Sequence, residues 1–157
     1  MIEVKKILVP TDFSPPSVKA LAYGRAFARL FQSSLHVLHV IEEPFVHGFT
    51  MEGYIATLPE FSAQLEVRAK EELARQLSEA DRRELAAVET TRFGNPYSEI
   101  VAYAKEQDVD IIVMGTHGRG MVAQLLLGSV AERVVRMAPC PVLTVREPEH
   151  DFVLPPK

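Results

Sequence analysis

Residues 110–129 read Asp110-Ile111-Ile112-Val113-Met114-Gly115-Thr116-His117-Gly118-Arg119-Gly120-Met121-Val122-Ala123-Gln124-Leu125-Leu126-Leu127-Gly128-Ser129. The run 111–114 is apolar throughout, as is typical of a strand buried on both faces of a parallel sheet. Four glycines separate it from Ser129, where a helix is expected to begin. A strand, a glycine-rich loop and a helix in this order predict an α/β fold with a ligand site at the end of the strand.

The same alternation extends outward over nearly the whole chain. Strands are predicted at 6–10, 35–41, 86–93, 110–114 and 142–145. Four helices are predicted between them. The first starts at Ser14-Pro15, the second covers Leu65 to Leu77, the third runs from Asn95-Pro96 to about Gln107, and the fourth runs from Ser129 to Met137. The first helix is expected to bury Val18, Leu21, Ala22, Leu30 and Phe31. Five strands and four helices indicate an open parallel sheet with helices on both faces.

Composition narrows the possible partners. The chain has 157 residues, 47% apolar and 24% charged, with 17 Lys and Arg against 21 Asp and Glu. A net charge of −4 without a dense basic cluster argues against nucleic acid as a partner. No segment approaches the length of a membrane span, so no membrane partner is expected.

Cysteine usage points to a reducing compartment. Cys140 is the single cysteine, so no intrachain disulfide can form, and the thiol between two prolines is expected to be packed and unreactive. The beginning of the sequence, with Glu3 and no long apolar run after it, does not resemble a secretory signal. A cytoplasmic location is therefore expected.

The glycine-rich loop predicts a phosphate site. Glycines allow backbone N–H groups to approach an anion closely, and a helix that begins at Ser129 adds unpaired donors and a positive dipole end. The alternative is that the glycines only form turns and that Ser129 is an N-cap. A dinucleotide fingerprint and a Walker loop are both disfavoured, since GxGxxG does not follow the first strand and no GK precedes Ser or Thr.

The spacing GxxG, nine residues, then GS resembles the nucleotide-binding signature of the universal stress protein family. Gly115, Gly118, Gly128 and Ser129 match it, and the runs 6–12, 94–96 and 138–143 resemble the family's first strand and acidic turn, its turn into the third helix, and its approach to the last strand. The resemblance implies a Rossmann-like sheet, similar to that of the adenine nucleotide alpha hydrolases, with strand order 3-2-1-4-5. It also implies membership of the ATP-binding subgroup, with Mg²⁺ or Mn²⁺ bound through the phosphates.

By this resemblance the candidate binding residues lie at the ends of three strands and along the loop. Pro10, Asp12 and Val40 are expected around adenine and ribose, and the stretches 114–118 and 128–130 around ribose and triphosphate. The full candidate set is Pro10, Thr11, Asp12, Val40, Met114, Gly115, Thr116, His117, Gly118, Arg119, Gly120, Met121, Gly128, Ser129 and Val130.

Single residues leave alternatives open. Asp12 is either a ribose or metal-side ligand or a turn residue that caps the first helix. His117 and Arg119 are expected to reach toward phosphate rather than to act in catalysis. His36 and His39 are three positions apart on a strand, so they face opposite sides and cannot share a metal ion; both are expected to be structural.

The functional hypothesis is an ATP-binding stress-response regulator or binding module, with no catalytic residues and at most slow ATP hydrolysis. Two rivals are a dimeric scaffold that needs no nucleotide and an enzyme that splits ATP between its α and β phosphates. The chain is expected to comprise a nucleotide-binding domain, 1–146, and a tail, 147–157. A homodimer is expected through the strand 142–145, with Leu143→Pro as a dimer-breaking change, unless the tail shields that edge.

Overall fold

The computed structural model describes residues 2–42, 58–116 and 127–146. Five strands and five helices follow one another along these residues. They are β1 (Lys6–Pro10), α1 (Pro15–Phe31), β2 (Ser34–Ile41), α2 (Leu58–Gln76), α3 (Glu79–Glu84), β3 (Val88–Phe93), α4 (Pro96–Glu106), β4 (Ile111–Gly115), α5 (Ser129–Met137) and β5 (Val142–Val145). Every predicted strand is present within two residues of its expected ends, and α3 is an element that the sequence did not predict.

The five strands form one parallel sheet in the order β3-β2-β1-β4-β5. This confirms the fold class and the strand order that the resemblance implied. Strand order reverses between β1 and β4, because the chain continues from β1 to β2 on one side and returns to β4 on the other. In open α/β sheets this switch point is where ligands bind, at the carboxyl ends of the strands.

Helices cover both faces of the sheet and make two apolar cores. On one face, Val9 and Val37 pack with residues of α1 and α2; on the other, Leu8 and Leu38 pack with residues of α4 and α5. Ile7, Leu8 and Val9 of β1 are fully buried. Burial on both faces explains why β1 is apolar from Ile7 to Pro10, and each fully buried Ile, Leu or Val side chain contributes about 1.5–3 kcal/mol of transfer free energy.

The buried face predicted for α1 is wrong for four of its five residues. Val18, Ala22, Leu30 and Phe31 are exposed, and only Leu21 is buried. The buried residues are mostly small: Pro16, Ser17, Ala20, Leu21, Gly24 and Ala28. A Cβ at Gly24 would collide with Cγ2 of Val9, so α1 lies too close to β1 for large side chains between them.

Helix α3 is tied to α1 by a cluster of ionic contacts. Ser78 and Asp81 form a capping box at its start, and Arg29 donates to Oδ1 of Asp81 at 2.7 Å. Burial alone would raise the pKa of Asp81, but hydrogen bonds from Ser78, the charge of Arg25 and a hydrogen bond from Arg29 hold that pKa below its ordinary value.

None of the helices in the described part of the chain combines the length and the apolar character that a membrane span requires.

Candidate functional site

A cavity of about 500 Å³ opens at the switch point between β1 and β4. Its floor comes from the ends of β1, β2 and β4, and its walls from the starts of α4 and α5 and from Leu65 of α2. The lining residues are Pro10, Thr11, Asp12, Ser17, Leu38, His39, Val40, Ile41, Glu42, Leu65, Pro96, Ile100, Met114, Gly115, Thr116, Gly128, Ser129, Val130 and Ala131.

Ten of the fifteen candidate binding residues lie among the described residues, and all ten line this cavity. They are Pro10, Thr11, Asp12, Val40, Met114, Gly115, Thr116, Gly128, Ser129 and Val130. The other five, His117, Gly118, Arg119, Gly120 and Met121, lie outside the described residues. The sequence therefore predicted a set of positions that the fold does bring together in space.

The residues at the two ends of the glycine-rich loop meet at the cavity. Gly128 donates its N–H to the carbonyl oxygen of Thr116 at 2.6 Å, and Thr116 donates its own N–H to the carbonyl oxygen of Val145 at 2.9 Å. These two hydrogen bonds attach the end of β4 to the start of α5 and to the end of β5. The N-cap of α5 is thereby fixed beside the residue that follows β4.

Gly115 is needed for the way α1 packs on β4. A Cβ at this position would lie 2.9 Å from the carbonyl carbon and the Cβ of Pro16. Real Cβ atoms do not approach other atoms so closely, so any side chain here would push α1 away from the end of β4. Gly115 therefore has a structural reason to be glycine besides its place in the cavity wall.

Helix α5 points its amino end at the cavity. Gly128 is the N-cap, and the first hydrogen bond within the helix runs from the N–H of Glu132 to the carbonyl oxygen of Gly128. The N–H groups of Ser129, Val130 and Ala131 precede that bond, and all three residues line the cavity. Ser129 is thus the first helical residue rather than the N-cap that the alternative interpretation made it, and α5 offers an anion the donors and dipole of a helix start.

Asp12 stabilises the turn before α1 and also lines the cavity, so it fits both of the alternatives that the sequence left open. Its Oδ1 accepts a hydrogen bond from the N–H of Ser14 at 3.0 Å and another from the Ser14 hydroxyl, so it stabilises the turn before α1. The residue also lines the cavity. A carboxylate held in this way presents a fixed acceptor at the mouth of the crevice.

Several lining residues were not predicted as site residues. The end of β2 contributes His39, Ile41 and Glu42 to the lining. The first two turns of α4 contribute Pro96 and Ile100. The prediction used one residue of β2, Val40, although the whole carboxyl end of a strand next to the switch point borders the same crevice. That topological rule was the available signal for the β2 residues; no comparable signal identified α4.

The described lining is apolar with few charges. Asp12 and Glu42 are its carboxylates, His39 is its imidazole, and within that lining there is no Lys or Arg. No group of three or more potential metal ligands occurs among the described residues.

Cys140 packs against the core on the α5 side. Burial and the charge of Asp110 raise the pKa of its thiol, as expected for an unreactive cysteine.

Comparison with known proteins identifies the family. The family model described as the universal stress protein family matches residues 3–146. The chain belongs to the universal stress protein family. A universal stress protein of Methanocaldococcus jannaschii is 35% identical over 148 residues, which cover 94% of this chain and 85% of the relative. A second from the same organism is 36% identical over 154 residues, covering 90% and 94%.

Solved structures of universal stress proteins share the fold. That second Methanocaldococcus jannaschii protein superposes with a TM-score of 0.72 at 34% identity, covering 95% of this chain and all of the other. A universal stress protein from Archaeoglobus fulgidus in complex with dAMP gives 0.57 at 24% identity, covering 92% and 99%. Another universal stress protein, in complex with cAMP, gives 0.59 at 23% identity, covering 92% and 98%. These last two likenesses concern the fold alone.

Proposed function

We propose that this universal stress protein binds an adenine nucleotide, ATP with Mg²⁺ or Mn²⁺, at the switch-point cavity and acts as a nucleotide-dependent regulator in the cytoplasm. The observation that carries the proposal is the junction of Gly115, Thr116, Gly128 and Ser129, where the start of a helix meets an apolar cavity. Two solved members of the family hold adenine nucleotides, which makes this ligand class the one to test first.

The cavity fits the parts of an adenine nucleotide. A volume of about 500 Å³ lies within the range of small-molecule sites. Val40, Met114 and Val130 offer apolar surface to a base, and the N–H groups at the start of α5 offer donors to a phosphate. We expect a ribose hydroxyl to donate to the carboxylate of Asp12, which lines the same cavity.

The charge of the phosphates needs partners other than the described lining. Asp12 and Glu42 give that lining negative charge, and its one imidazole does not offset four phosphate charges. The remaining positive partners are the start of α5, a divalent cation bound by phosphate oxygens and water, and His117 and Arg119 of the loop. We therefore expect ATP to bind with its divalent cation rather than alone.

A regulatory role suits the chemistry of the crevice better than fast catalysis. Oδ1 of Asp12 is occupied by hydrogen bonds from Ser14, and the described lining offers no Lys or Arg that could stabilise charge on a departing phosphate. We therefore infer binding with at most slow hydrolysis. The rival that splits ATP between its α and β phosphates would show pyrophosphate among the products.

The first test is direct binding. Calorimetry with MgATP is expected to give a dissociation constant in the micromolar range, and chromatography of the supernatant after denaturing the purified protein is expected to show adenine nucleotide. Absence of both heat and released nucleotide would support the dimeric scaffold instead.

A variant locates the binding. Gly128 has φ −69° and ψ 157°, which valine adopts readily, so Gly128→Val adds bulk to the cavity wall without backbone strain. We expect a loss of MgATP affinity of at least about tenfold. The matched control is Asn95→Val, at the N-cap of α4, which like Gly128 has an extended backbone and makes no side-chain capping bond, and which does not line the cavity. Equal affinity in the folded Gly128→Val protein would place the nucleotide elsewhere.

A further inference from the structure

The turn between β1 and α1 is held from the neighbouring strand by a side chain. Thr11 lies one residue beyond Pro10, the last position of β1 that is paired with β2. Its N–H donates to the carbonyl oxygen of Leu38 at 2.8 Å. Its carbonyl oxygen lies 2.8 Å from Nδ1 of His39. Since a carbonyl oxygen can only accept, Nδ1 of His39 carries the hydrogen and donates it.

Phe13 adds a second contact between this turn and His39. The backbone of Phe13 has φ +64°, a left-handed conformation that is uncommon for an aromatic residue. Its N–H donates to Oγ1 of Thr11 at 3.0 Å, and its ring lies over the imidazole of His39 with centroids 4.4 Å apart and planes tilted by 31°. Strained backbone of this kind persists where surrounding contacts hold it in place.

Asp12 lies between the two contacts. The carbonyl of Thr11 belongs to the same peptide unit as the N–H of Asp12, and Phe13 is the next residue. The hydrogen bond from His39 and the ring contact therefore fix the backbone on both sides of Asp12. Asp12 and His39 both line the cavity, so the backbone that His39 holds sets, together with the hydrogen bonds from Ser14, where the Asp12 carboxylate lies in the crevice.

We propose that His39 is a positioning residue of the nucleotide site, which orients Asp12 toward the ligand by holding the carbonyl of Thr11 and the ring of Phe13. The inference rests on the proposed nucleotide function and extends it. His39 is assigned a role in ligand affinity, in place of the purely structural role expected from the sequence.

Two substitutions separate the hydrogen bond from the bulk of the side chain. The amide nitrogen of asparagine can occupy the place of Nδ1, whereas the longer glutamine places its amide at the position of Nε2. We expect His39→Asn, which keeps the hydrogen bond but loses the ring contact with Phe13, to weaken MgATP affinity by no more than about threefold, and His39→Gln, which loses both, to weaken it by about tenfold or more. Calorimetry measures both, after circular dichroism confirms that each variant is folded.

A second histidine on the same strand supplies the control. His36 also uses Nδ1 in a hydrogen bond, to the hydroxyl of Tyr103 at 2.8 Å, but it is buried on the other face and does not line the cavity. His36→Gln is therefore expected to lower thermal stability while leaving MgATP affinity within about threefold. A purely structural role for His39 would make the two glutamine variants behave alike.

A double-mutant cycle tests whether His39 acts through Asp12. In an Asp12→Ala background, His39→Gln is expected to cost less than about twofold in further affinity, since the group that it positions is already absent. Losses that multiply, or full affinity in His39→Gln, would overturn the positioning role while leaving nucleotide binding intact. A parent protein that gives no heat with MgATP would overturn the proposed function itself, and the role of His39 with it.

Discussion

His36 and His39 are three residues apart on β2 and belong to different parts of the molecule. His36 is 6% exposed and contacts Tyr103 of α4, whereas His39 borders the ligand cavity. The sequence placed them on opposite faces, and the structure agrees. The sequence could not show that His36 lies in the core while His39 borders the cavity, because this depends on where β1 ends beside β2.

The burial of His36 makes stability depend on pH. Burial lowers the pKa of His36 below 6.5, and the positive charge of Lys6 lowers it further. The Tyr103 hydroxyl is hydrogen-bonded to the imidazole, and Cζ of Arg92 lies 4.8 Å from the centroid of the tyrosine ring. Between the folded and unfolded pKa values the unfolded chain binds more protons, so the free energy of unfolding falls as the pH drops below 6.5.

The prediction is a loss of stability between about pH 7.5 and about pH 5 that depends on His36. Asparagine at this position keeps a polar atom near the Tyr103 hydroxyl and does not titrate. Urea unfolding of the parent protein and of His36→Asn at both pH values gives the comparison. We expect a smaller acid loss in the variant; parallel losses would assign the effect to other groups.

At the scale of elements, the junction of β4 with α1 is the most tightly constrained part of the crevice. Gly115→Ala would place a methyl group 2.9 Å from Pro16, so we expect it to lower the free energy of unfolding by about 1–3 kcal/mol. Gly128→Ala is the matched control, and we expect a change of about 0.5 kcal/mol or less, because N-cap loss and reduced freedom of the unfolded chain oppose each other. Urea unfolding measures both. Equal changes would show that α1 moves without cost.

Strands were easier to predict than helix faces, for a physical reason. A strand buried on both faces is apolar at nearly every position, so the run 7–10 was readily recognised as part of a strand. The face of α1 is set by how closely it approaches the sheet, and there small residues are buried while Leu30 is 71% exposed. Helix α3 has six residues, too few for an apolar period; the Ser78 to Asp81 capping box was its one local signal.

The candidate site was predictable as far as topology and motif determine it. The ends of β1 and β4 and the start of α5 could be assigned to one crevice, because the family resemblance implied the strand order and the strand order determines the switch point. The rule also covered the end of β2, where only Val40 was used and His39 was missed, but Pro96 and Ile100 could not be assigned, since their proximity depends on how α4 packs beside the sheet. A local sequence pattern shows which element a residue belongs to, but it does not show which other elements that element contacts.

At the scale of the whole molecule, the two sheet edges differ in their suitability for a partner. Strand β3 has Glu89 and Arg92 within it, which discourage pairing with a second chain. Strand β5 reads Val142-Leu143-Thr144-Val145 and contains no charge, and Leu143 is 37% exposed. We therefore propose that two copies pair through β5 about a twofold axis. The tail from 147, which could shield this edge in a monomer, lies outside the described residues.

The backbone geometry of β5 changes which substitution tests this dimer. Ile112 donates to the carbonyl oxygen of Pro141, and Thr116 donates to that of Val145, while Leu143 lies opposite Val113. Backbone groups alternate sides along a strand, so the odd-numbered residues of β5 face β4. Leu143→Pro, the change expected from sequence to break the dimer, would instead damage the β4–β5 pairing. Val142 and Thr144 direct their N–H groups toward the open edge.

Thr144→Pro is therefore the informative change. Proline removes the outward N–H that an antiparallel partner would need, and an edge strand tolerates proline on its unpaired side. Thr144→Val is the control, since it keeps the N–H and the shape of the side chain. By light scattering at high micromolar concentration we expect two-chain mass for the parent and for Thr144→Val, and one-chain mass for a folded Thr144→Pro. A one-chain mass for the parent would favour the shielded monomer, and a two-chain mass for all three would move the interface away from β5.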